Sequence, residues 1–227
     1  MADRTALVTG GAGGLGRAVV AAFEADGWRV VLPDLDPRGG GRGAVEVVEA
    51  DLTDADDVAR SVEVATGVQE APLRAVVNLV GGFAAGQPVA ETPLADFQAQ
   101  FALNLHPTYL VCQATLPALV AGGGGAIVCV SSRAALRPFA GAAGYCASKA
   151  ALLAFAQVVA REHAGDGVRC NCVLPDMIDT PSNRASMPAA QHSGLTPPEE
   201  IAEVIRFLCS DAAAPTTGAA IPVFGGP

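Results

Sequence analysis

Hydrophobic residues fall in short continuous runs along the chain, and the first run, Thr5–Val8, leads directly into glycines. Such runs are typical of strands that are buried on both faces of a parallel sheet. The pattern predicts seven strands, at Thr5–Val8, Arg29–Leu32, Val45–Glu49, Ala75–Leu79, Ala126–Ser131, Val168–Leu174 and Ala220–Phe224.

Between these runs, apolar side chains recur at helical intervals of three and four residues. Asp54 precedes one such segment and is a suitable N-cap. Strands that alternate with helices predict a doubly wound, Rossmann-like α/β fold of about seven parallel strands, with helices on both faces. The helices are expected at Gly14–Asp26, Asp54–Thr66, and about Leu94–Asn104, Thr108–Ala121, Tyr145–His163 and Pro198–Ser210.

The length of 227 residues fits one large domain. Glycine-rich stretches at Gly39–Gly43 and Gly122–Gly125 are short and lie between predicted elements, so they read as loops. We therefore expect a single dinucleotide-binding and catalytic domain over residues 1–227.

Composition narrows the function further. Hydrophobic residues make up 51% of the chain, and the formal net charge is −9, which disfavours nucleic-acid binding. The start of the chain has no signal-peptide pattern, and no run of about 18 apolar residues predicts a membrane span, so we expect a cytoplasmic protein. The six cysteines form no CxxC pair and the three histidines are scattered, so we expect reduced core thiols and no metal site.

The first strand runs into Thr9-Gly10-Gly11-Ala12-Gly13-Gly14-Leu15-Gly16, and a helix follows. Glycines let the backbone approach a pyrophosphate closely, and a helix N-terminus offers free N–H groups. We predict that Thr9, Gly10, Gly14, Leu15 and Gly16 bind a dinucleotide. A purely structural turn is the alternative.

Asp34 stands just past the second strand, about 20 residues after the glycine turn, where a carboxylate accepts hydrogen bonds from adenosine ribose hydroxyls and repels a 2′-phosphate. Arg38 is near but follows a proline. These features favour NAD(H) over NADP(H), unless Asp34 only caps a turn with Asp36. Asp51 and Leu52 follow the third strand and are candidates to border the adenine, although Asp51 is equally understood as a loop residue.

Ser132 follows the fifth strand, and Tyr145 and Lys149 stand one turn apart on the helix that comes next. A lysine ammonium, together with a nicotinamide cation, would stabilise the tyrosine phenolate. Tyr145 could then exchange a proton with an alcohol or carbonyl, and Ser132 would bind the same oxygen. The three residues suffice for hydride transfer, because a cofactor carries the difficult chemistry.

The chain resembles the compact, single-domain branch of the short-chain dehydrogenase/reductase family over essentially its whole length. Its glycine turn matches the cofactor motif, Tyr145-x-x-x-Lys149 matches the active-site motif, and Ser132 stands at the expected distance before the tyrosine. The resemblance implies that Asn104 supports a water-linked proton relay to the lysine. A helix-kink role for Asn104 is the alternative, and the two are compatible.

The resemblance also implies further cofactor contacts at Asn78, Gly81, Pro175, Ile178 and Thr180. Two positions depart from the family pattern. Asn78-Leu79-Val80-Gly81 replaces Asn-Asn-Ala-Gly, and Asp176 follows Pro175 where glycine is common. Asp176 would either shape substrate choice or point to solvent. The closing Val223-Phe224-Gly225-Gly226 carries Phe where the family has Asp.

Candidate pocket residues lie at the same sheet edge, and the segment Ser182–Gly194, polar and flexible in composition, stands where the family carries its substrate lid. Arg133 or Arg184 would attract an anionic substrate, unless each is only a solvated charge. The candidate pocket residues are Phe83, Ala84, Arg133, Ala134, Leu136, Phe139, Asp176 and Met177.

The expected activity is NAD(H)-dependent interconversion of a secondary alcohol and a ketone, with a small carbonyl or alcohol compound as substrate and Tyr145 as acid/base. A quinonoid or pterin-type reductase, or a non-catalytic cofactor sensor, is the alternative. The helix after Tyr145 is apolar almost all round, so one face needs a partner. The family resemblance implies a homotetramer, with a homodimer as the alternative.

Overall fold

The computed structural model describes residues 2–37, 41 and 43–225. Seven strands form one sheet in the order β3-β2-β1-β4-β5-β6-β7, and every neighbouring pair is parallel. The predicted doubly wound, Rossmann-like fold is confirmed, with strand ends shifted by one or two residues. The strands are β1 Thr5–Thr9, β2 Arg29–Asp34, β3 Val45–Glu49, β4 Leu73–Asn78, β5 Gly125–Val130, β6 Val168–Pro175 and β7 Ala220–Val223.

Six of the helices in the described residues are those predicted from apolar spacing. Asp54 caps α2 as expected, and its carboxylate accepts hydrogen bonds from the N–H groups of Asp56 and Asp57 at 2.8 and 3.2 Å. The helices are α1 Gly14–Ala25, α2 Ala55–Thr66, α3 Leu94–Asn104, α4 His106–Ala121, α5 Ala143–Glu162, α6 Pro181–Ser186 and α7 Pro198–Cys209.

Each sheet face is covered by its own set of helices, and the two sets bury separate hydrophobic cores. On one face, side chains of α2, α4 and α5 pack on Leu7, Ile127 and Leu174. On the other, α1 and α7 pack on Val8, Val77 and Val128. Since both faces are buried, the strands read as continuous apolar runs.

The composition of Ser182–Gly194 predicted a flexible segment, but most of this segment is helical in the structure. Residues Pro181–Ser186 form α6, and Ala189–Gly194 form a 3-10 turn. Thr180 caps α6 by accepting a hydrogen bond from the Asn183 N–H at 3.2 Å, and Pro181 takes the first helical position. The Thr-Pro pair was the sequence signal for this helix, and the polar composition hid it.

Helix α5 carries Tyr145 and Lys149 and is long and apolar enough to cross a membrane by length and composition alone. In the structure it packs along the sheet, and Leu152, Ala156 and Val159 belong to the core. The glycine loop 39–43 and Arg38 fall largely outside the described residues, as does Gly226.

Candidate active site

Parallel strands end at one edge of the sheet, and this edge gathers the candidate residues. The glycine turn follows β1, Gly81 lies just after β4, Ser132 lies just after β5, and Asp176 directly follows β6. Open sheets of this kind bind ligands at the carboxyl edge. The edge therefore collects groups that are far apart in sequence.

The glycine turn holds its shape through close backbone approaches. Gly10 adopts a φ of 66°, a conformation that other residues rarely accept. A Cβ on Gly16 would lie 2.2 Å from the Gly10 carbonyl oxygen, so α1 reaches the turn only with glycine there. A Cβ on Gly14 would lie 2.5 Å from the Thr180 methyl group, which places the turn and the start of α6 face to face.

The same turn fits the phosphates of a dinucleotide. Helix α1 begins after Gly13, which has no side chain to cap the first N–H groups, and its first turn carries no acidic residue. The start of the helix therefore presents amides and a positive dipole end toward an anion. Glycine at positions 10, 14 and 16 lets this turn pack tightly, because a Cβ at each position would meet neighbouring protein atoms.

Asp34 ends β2 and is partly exposed beyond the glycine turn. One of its carboxylate oxygens accepts a hydrogen bond from the Asp36 N–H at 3.2 Å, so Asp34 does form the turn considered as an alternative. Asp51 is an exposed loop residue whose Oδ1 accepts hydrogen bonds from the Thr53 N–H and hydroxyl at 2.9 and 2.7 Å. These bonds lower the Asp51 pKa and hold the carboxylate within its own loop.

Several of the residues predicted to contact a cofactor have side chains that are buried beneath the edge. Thr9 is 1% exposed, and its hydroxyl accepts a hydrogen bond from the Leu79 N–H at 3.1 Å. Asn78 is 2% exposed; its amide nitrogen faces the Cys112 and Cys129 thiols, and its Oδ1 is buried without a hydrogen-bond partner. The side chains of Leu15, Leu52 and Pro175 are buried as well. These residues shape the edge from below.

Ile178, another residue predicted to contact a cofactor, is only partly buried. It follows β6, is partly buried against the core on the α1 and α7 face, and forms a parallel bridge with Thr196. This bridge fixes the path of the chain from β6 to Thr180, and therefore the distance between α6 and the glycine turn.

Ser132 and Tyr145 meet at the centre of the edge. Burial raises the pKa of Tyr145, and a hydrogen bond with the Ser132 side chain lowers it only in part. Ser132 also accepts a hydrogen bond from the Ala134 N–H at 3.1 Å, which caps the 3-10 turn Arg133–Ala135. The predicted lowering of the phenol pKa is therefore absent from the protein by itself.

Lys149 is 5% exposed, and its ammonium donates a hydrogen bond to the Val130 carbonyl at 3.0 Å. Burial lowers its pKa to about 8, because the charged form loses water. The Ser131 hydroxyl donates to the Lys149 carbonyl at 2.8 Å, so α5 is bonded to the end of β5 at two points. Ser131 was not among the predicted site residues, although it stands next to Ser132.

Asn104 is fully buried at the end of α3. Its Oδ1 accepts a hydrogen bond from the Gly82 N–H at 2.9 Å, and its amide donates to the Ser148 hydroxyl at 3.2 Å. A Cβ on Gly81 would lie 2.7 Å from Asn104 Oδ1 and 3.0 Å from Lys149 Nζ, so Gly81 sits between the two polar groups. Ser148, inside the Tyr145-x-x-x-Lys149 motif, links Asn104 to α5 and was missed from the sequence.

The helix-kink role considered for Asn104 also has support. Helices α3 and α4 are separated only by Leu105, directly after Asn104.

The two arginines expected to attract an anion are both paired. Arg133 forms an ion pair with Asp176, and Arg184 bonds to Asp179, with one Nη2–Oδ2 distance of 2.6 Å. A paired guanidinium has less net charge to offer to a substrate, and neither arginine is the unpaired solvated charge considered as the alternative. Asp176 faces Arg133 rather than open solvent.

Two phenylalanine side chains lie beside Tyr145. The Phe83 ring meets the Tyr145 ring edge-on at 5.0 Å, and Phe139 lies 6.3 Å from Phe83. Phe83 and Phe139 are 62% and 50% exposed. Leu136 and Met177, two other candidate pocket residues, are exposed to a similar degree. The candidate site thus has an apolar side and a polar side.

A comparison with protein families matches residues 10–227 to the family described as enoyl-(acyl carrier protein) reductase. The chain belongs to the short-chain dehydrogenase/reductase family. This assignment makes the protein an oxidoreductase with a Rossmann-like fold, from a family whose dehydrogenases use nicotinamide cofactors.

Relatives of this short-chain dehydrogenase/reductase match along nearly all of its length. It is 34% identical over 241 residues to D-threitol dehydrogenase of Mycolicibacterium smegmatis, with 98% of this chain and 92% of that protein covered. It is 34% identical over 245 residues to 2-(R)-hydroxypropyl-CoM dehydrogenase of Xanthobacter autotrophicus, with 98% of each chain covered. A solved short-chain dehydrogenase/reductase from Mycobacterium ulcerans is 30% identical with a TM-score of 0.91, covering 100% and 90% of the two chains.

A cavity of about 680 Å³ in this short-chain dehydrogenase/reductase lies at the opposite, amino edge of the sheet. Its arginines are occupied by helix ends. Arg74 donates to the Gly122 and Gly124 carbonyls, and Arg169 donates to the Leu208 and Ser210 carbonyls at 2.7 and 3.0 Å. This cavity is far from the tyrosine, and its charges complete the ends of α4 and α7.

Lys149 is the only lysine in the sequence, so protein labelled with ¹³C in lysine alone gives a single side-chain Cε signal. We expect this signal to titrate with a midpoint of about 8, since burial disfavours the ammonium. The matched control is the same sample unfolded in denaturant, where the midpoint should return to about 10.4. A folded-state midpoint of about 10 or above would show that the ammonium is not desolvated.

Proposed function

We propose that the protein is an NAD(H)-dependent oxidoreductase that interconverts a secondary alcohol and a ketone, with Tyr145 as acid and base. One observation carries the proposal. The hydrogen-bonded Ser132 and Tyr145 stand at the sheet edge that also holds the glycine turn, with Lys149 and Asn104 directly behind them. Acid/base, oxyanion and cofactor-binding groups therefore share one face.

When bound, the nicotinamide supplies or accepts the hydride. Ser132 hydrogen-bonds the substrate oxygen and orients it toward Tyr145. Because burial raises the Tyr145 pKa, the phenol is protonated near neutral pH and ready to give its proton to a forming alkoxide. In the opposite direction Tyr145 must first lose its proton, so alcohol oxidation gains from higher pH.

Lys149 and Asn104 connect the tyrosine to the interior of the site. Lys149, with a pKa of about 8, can hold or lose a proton near neutral pH. Asn104 Oδ1 and Lys149 Nζ both border Gly81, the small exposed residue at the edge. We infer that protons pass between Tyr145 and solvent along this route, with Gly81 as the opening.

The relatives support an alcohol substrate, because both are named as dehydrogenases, one of D-threitol and one of 2-(R)-hydroxypropyl-CoM. A non-catalytic cofactor sensor would have no need to keep Ser132, Tyr145, Lys149 and Asn104 together. The presence of all four at one edge of the sheet therefore favours an enzyme.

Replacing Tyr145 by Phe tests the acid/base role. We expect kcat/KM to fall by about 100-fold or more, the usual contribution of a positioned proton donor. The readout is NADH absorbance with a panel of secondary alcohols and ketones. The control is Tyr109→Phe, which alters the only other tyrosine, on the surface of α4. Near wild-type turnover by the Tyr145 variant would exclude the assigned role.

The NAD(H) preference rests on Asp34. Its carboxylate stands, partly exposed, at the end of β2, beside the strand that leads into the glycine turn. One of its oxygens accepts the Asp36 N–H, and we propose that the other accepts from a ribose hydroxyl. A 2′-phosphate at that place would meet a like charge.

We expect NADH to bind at least about tenfold more tightly than NADPH. Asp34→Asn should narrow the difference, whereas Asp36→Asn, which keeps the backbone N–H to Asp34, should not. Fluorescence titration of the wild type and both variants with each nucleotide gives the three affinity ratios. Equal affinity of the wild type for the two would contradict the Asp34 argument.

We also propose self-association, as a homotetramer or homodimer, through the outer surface of α4 and α5. An apolar groove of about 390 Å³ lies there, and the Tyr109 and Phe155 rings pack 5.9 Å apart at its rim. Val158, on the same helix as Phe155, is 49% exposed. A second copy would cover this apolar surface on both partners.

Light scattering on the eluting protein should give twice or four times the chain mass. Val158→Glu should shift the protein toward a single chain, because it places a charge in the buried interface. Phe207→Glu is the matched control, since Phe207 is 46% exposed on α7, across the sheet. A wild type that elutes as a single chain at micromolar concentration would refute the proposal.

A cytoplasmic location completes the proposal. All six cysteines are free and buried, and none is paired in a disulfide. Free thiols persist in a reducing compartment.

A further inference from the structure

The polar side of the candidate site is an ion pair formed by residues 43 positions apart. Arg133 follows Ser132 in the turn after β5, and Asp176 follows β6, so the pair crosses between two strand ends. Their side chains are 37% and 36% exposed. The Arg133 guanidinium also lies over the Phe224 ring, 5.2 Å from its centre. Arg133 is thus held from two sides, yet it remains open to the site.

Tyr145 lies within electrostatic reach of this pair. The Asp176 charge contributes to raising the Tyr145 pKa, after burial, which is the largest cause. Ser132, which bonds to Tyr145, is the immediate neighbour of Arg133. A substrate whose reacting oxygen lies on Ser132 and Tyr145 therefore extends toward Arg133 and Asp176 on one side. On the other side it meets Phe83 and Phe139.

The ion pair between Arg133 and Asp176 determines which polar group of a substrate can bind beside it. A free arginine binds carboxylate or phosphate through two parallel bonds, but Arg133 already donates one of its N–H groups, at Nη1, to the Asp176 carboxylate. An anionic substrate would have to displace Asp176 or lie beside its like charge. A neutral hydroxyl can donate to the Asp176 carboxylate and accept from a remaining Arg133 N–H without breaking the pair.

We propose that Arg133 and Asp176 recognise a hydroxyl on the carbon next to the reacting carbon, and that Phe83 and Phe139 receive an apolar substituent. The substrate class is then a neutral vicinal diol with an apolar arm, or the corresponding α-hydroxy ketone. This inference rests on the proposed function. In oxidation, the reacting carbinol would give its hydride to oxidised nicotinamide and its hydroxyl proton to the deprotonated Tyr145, and the neighbouring hydroxyl is unchanged.

Three compounds of nearly the same size test the substrate class: 1-phenyl-1,2-ethanediol, 1-phenylpropan-1-ol and mandelate. They differ only in carrying a hydroxymethyl, an ethyl or a carboxylate group beside the reacting carbon. We expect kcat/KM for the diol, measured with both enantiomers of each compound, to exceed the other two by about tenfold or more, the effect of one hydrogen bond to a charged group.

Asp176→Asn keeps the shape of the side chain and frees Arg133. The diol preference should fall to below about threefold, and mandelate should become the better substrate. Arg137→Met, at an exposed arginine four residues along, is the matched control and should leave all three values unchanged. Calorimetric binding of the three compounds to the Tyr145→Phe variant with NAD⁺ provides a second readout that needs no turnover.

The outcomes distinguish a failure of the proposed substrate class from a failure of the proposed function. If 1-phenylpropan-1-ol is oxidised as well as the diol, or if Asp176→Asn keeps the preference, the substrate class is overturned and the proposed reaction stands. If no alcohol or ketone is converted and none of the three compounds binds, the proposed function fails as well.

Discussion

The attachment of α5 to the end of β5 is the interaction on which the site depends. Lys149 reaches the Val130 carbonyl with its ammonium, and its own carbonyl accepts a bond from Ser131. These two bonds fix both the rotation and the position of the helix along its axis. Tyr145, one turn earlier, is thereby set against Ser132.

Two glycines, Gly81 and Gly82, allow a buried hydrogen-bond network to form next to Lys149. Gly81 passes between Asn104 and Lys149 with no space for a Cβ, and the Gly82 N–H holds Asn104. Asn104 in turn bonds to Ser148 on α5. Buried polar groups are costly unless they are hydrogen-bonded, and here each one helps to orient the next. The departure Asn78-Leu79-Val80-Gly81 is tolerated because only the final glycine faces this network.

Local features of the site were predictable from the sequence, and contacts between distant segments were not. The spacing of Tyr145 and Lys149, the Asp54 cap and the strand ends follow from periodicity and capping within a few residues. The direction of the Lys149 ammonium, toward Val130 rather than Tyr145, depends on how α5 docks on the sheet. The pairing of Arg133 with Asp176 likewise requires the ends of β5 and β6 to meet, and neither residue reveals it alone.

The choice of lysine at position 149 is itself informative. Apart from histidine, every other basic residue in the chain is arginine. A guanidinium stays charged in proteins and binds through a rigid fork, which suits the paired and capping roles of Arg133, Arg74 and Arg169. An ammonium on a flexible stem can be buried with a pKa of about 8, and so it can change its charge near neutral pH. Lysine at position 149 can therefore lose its charge near neutral pH, whereas an arginine there would remain a cation.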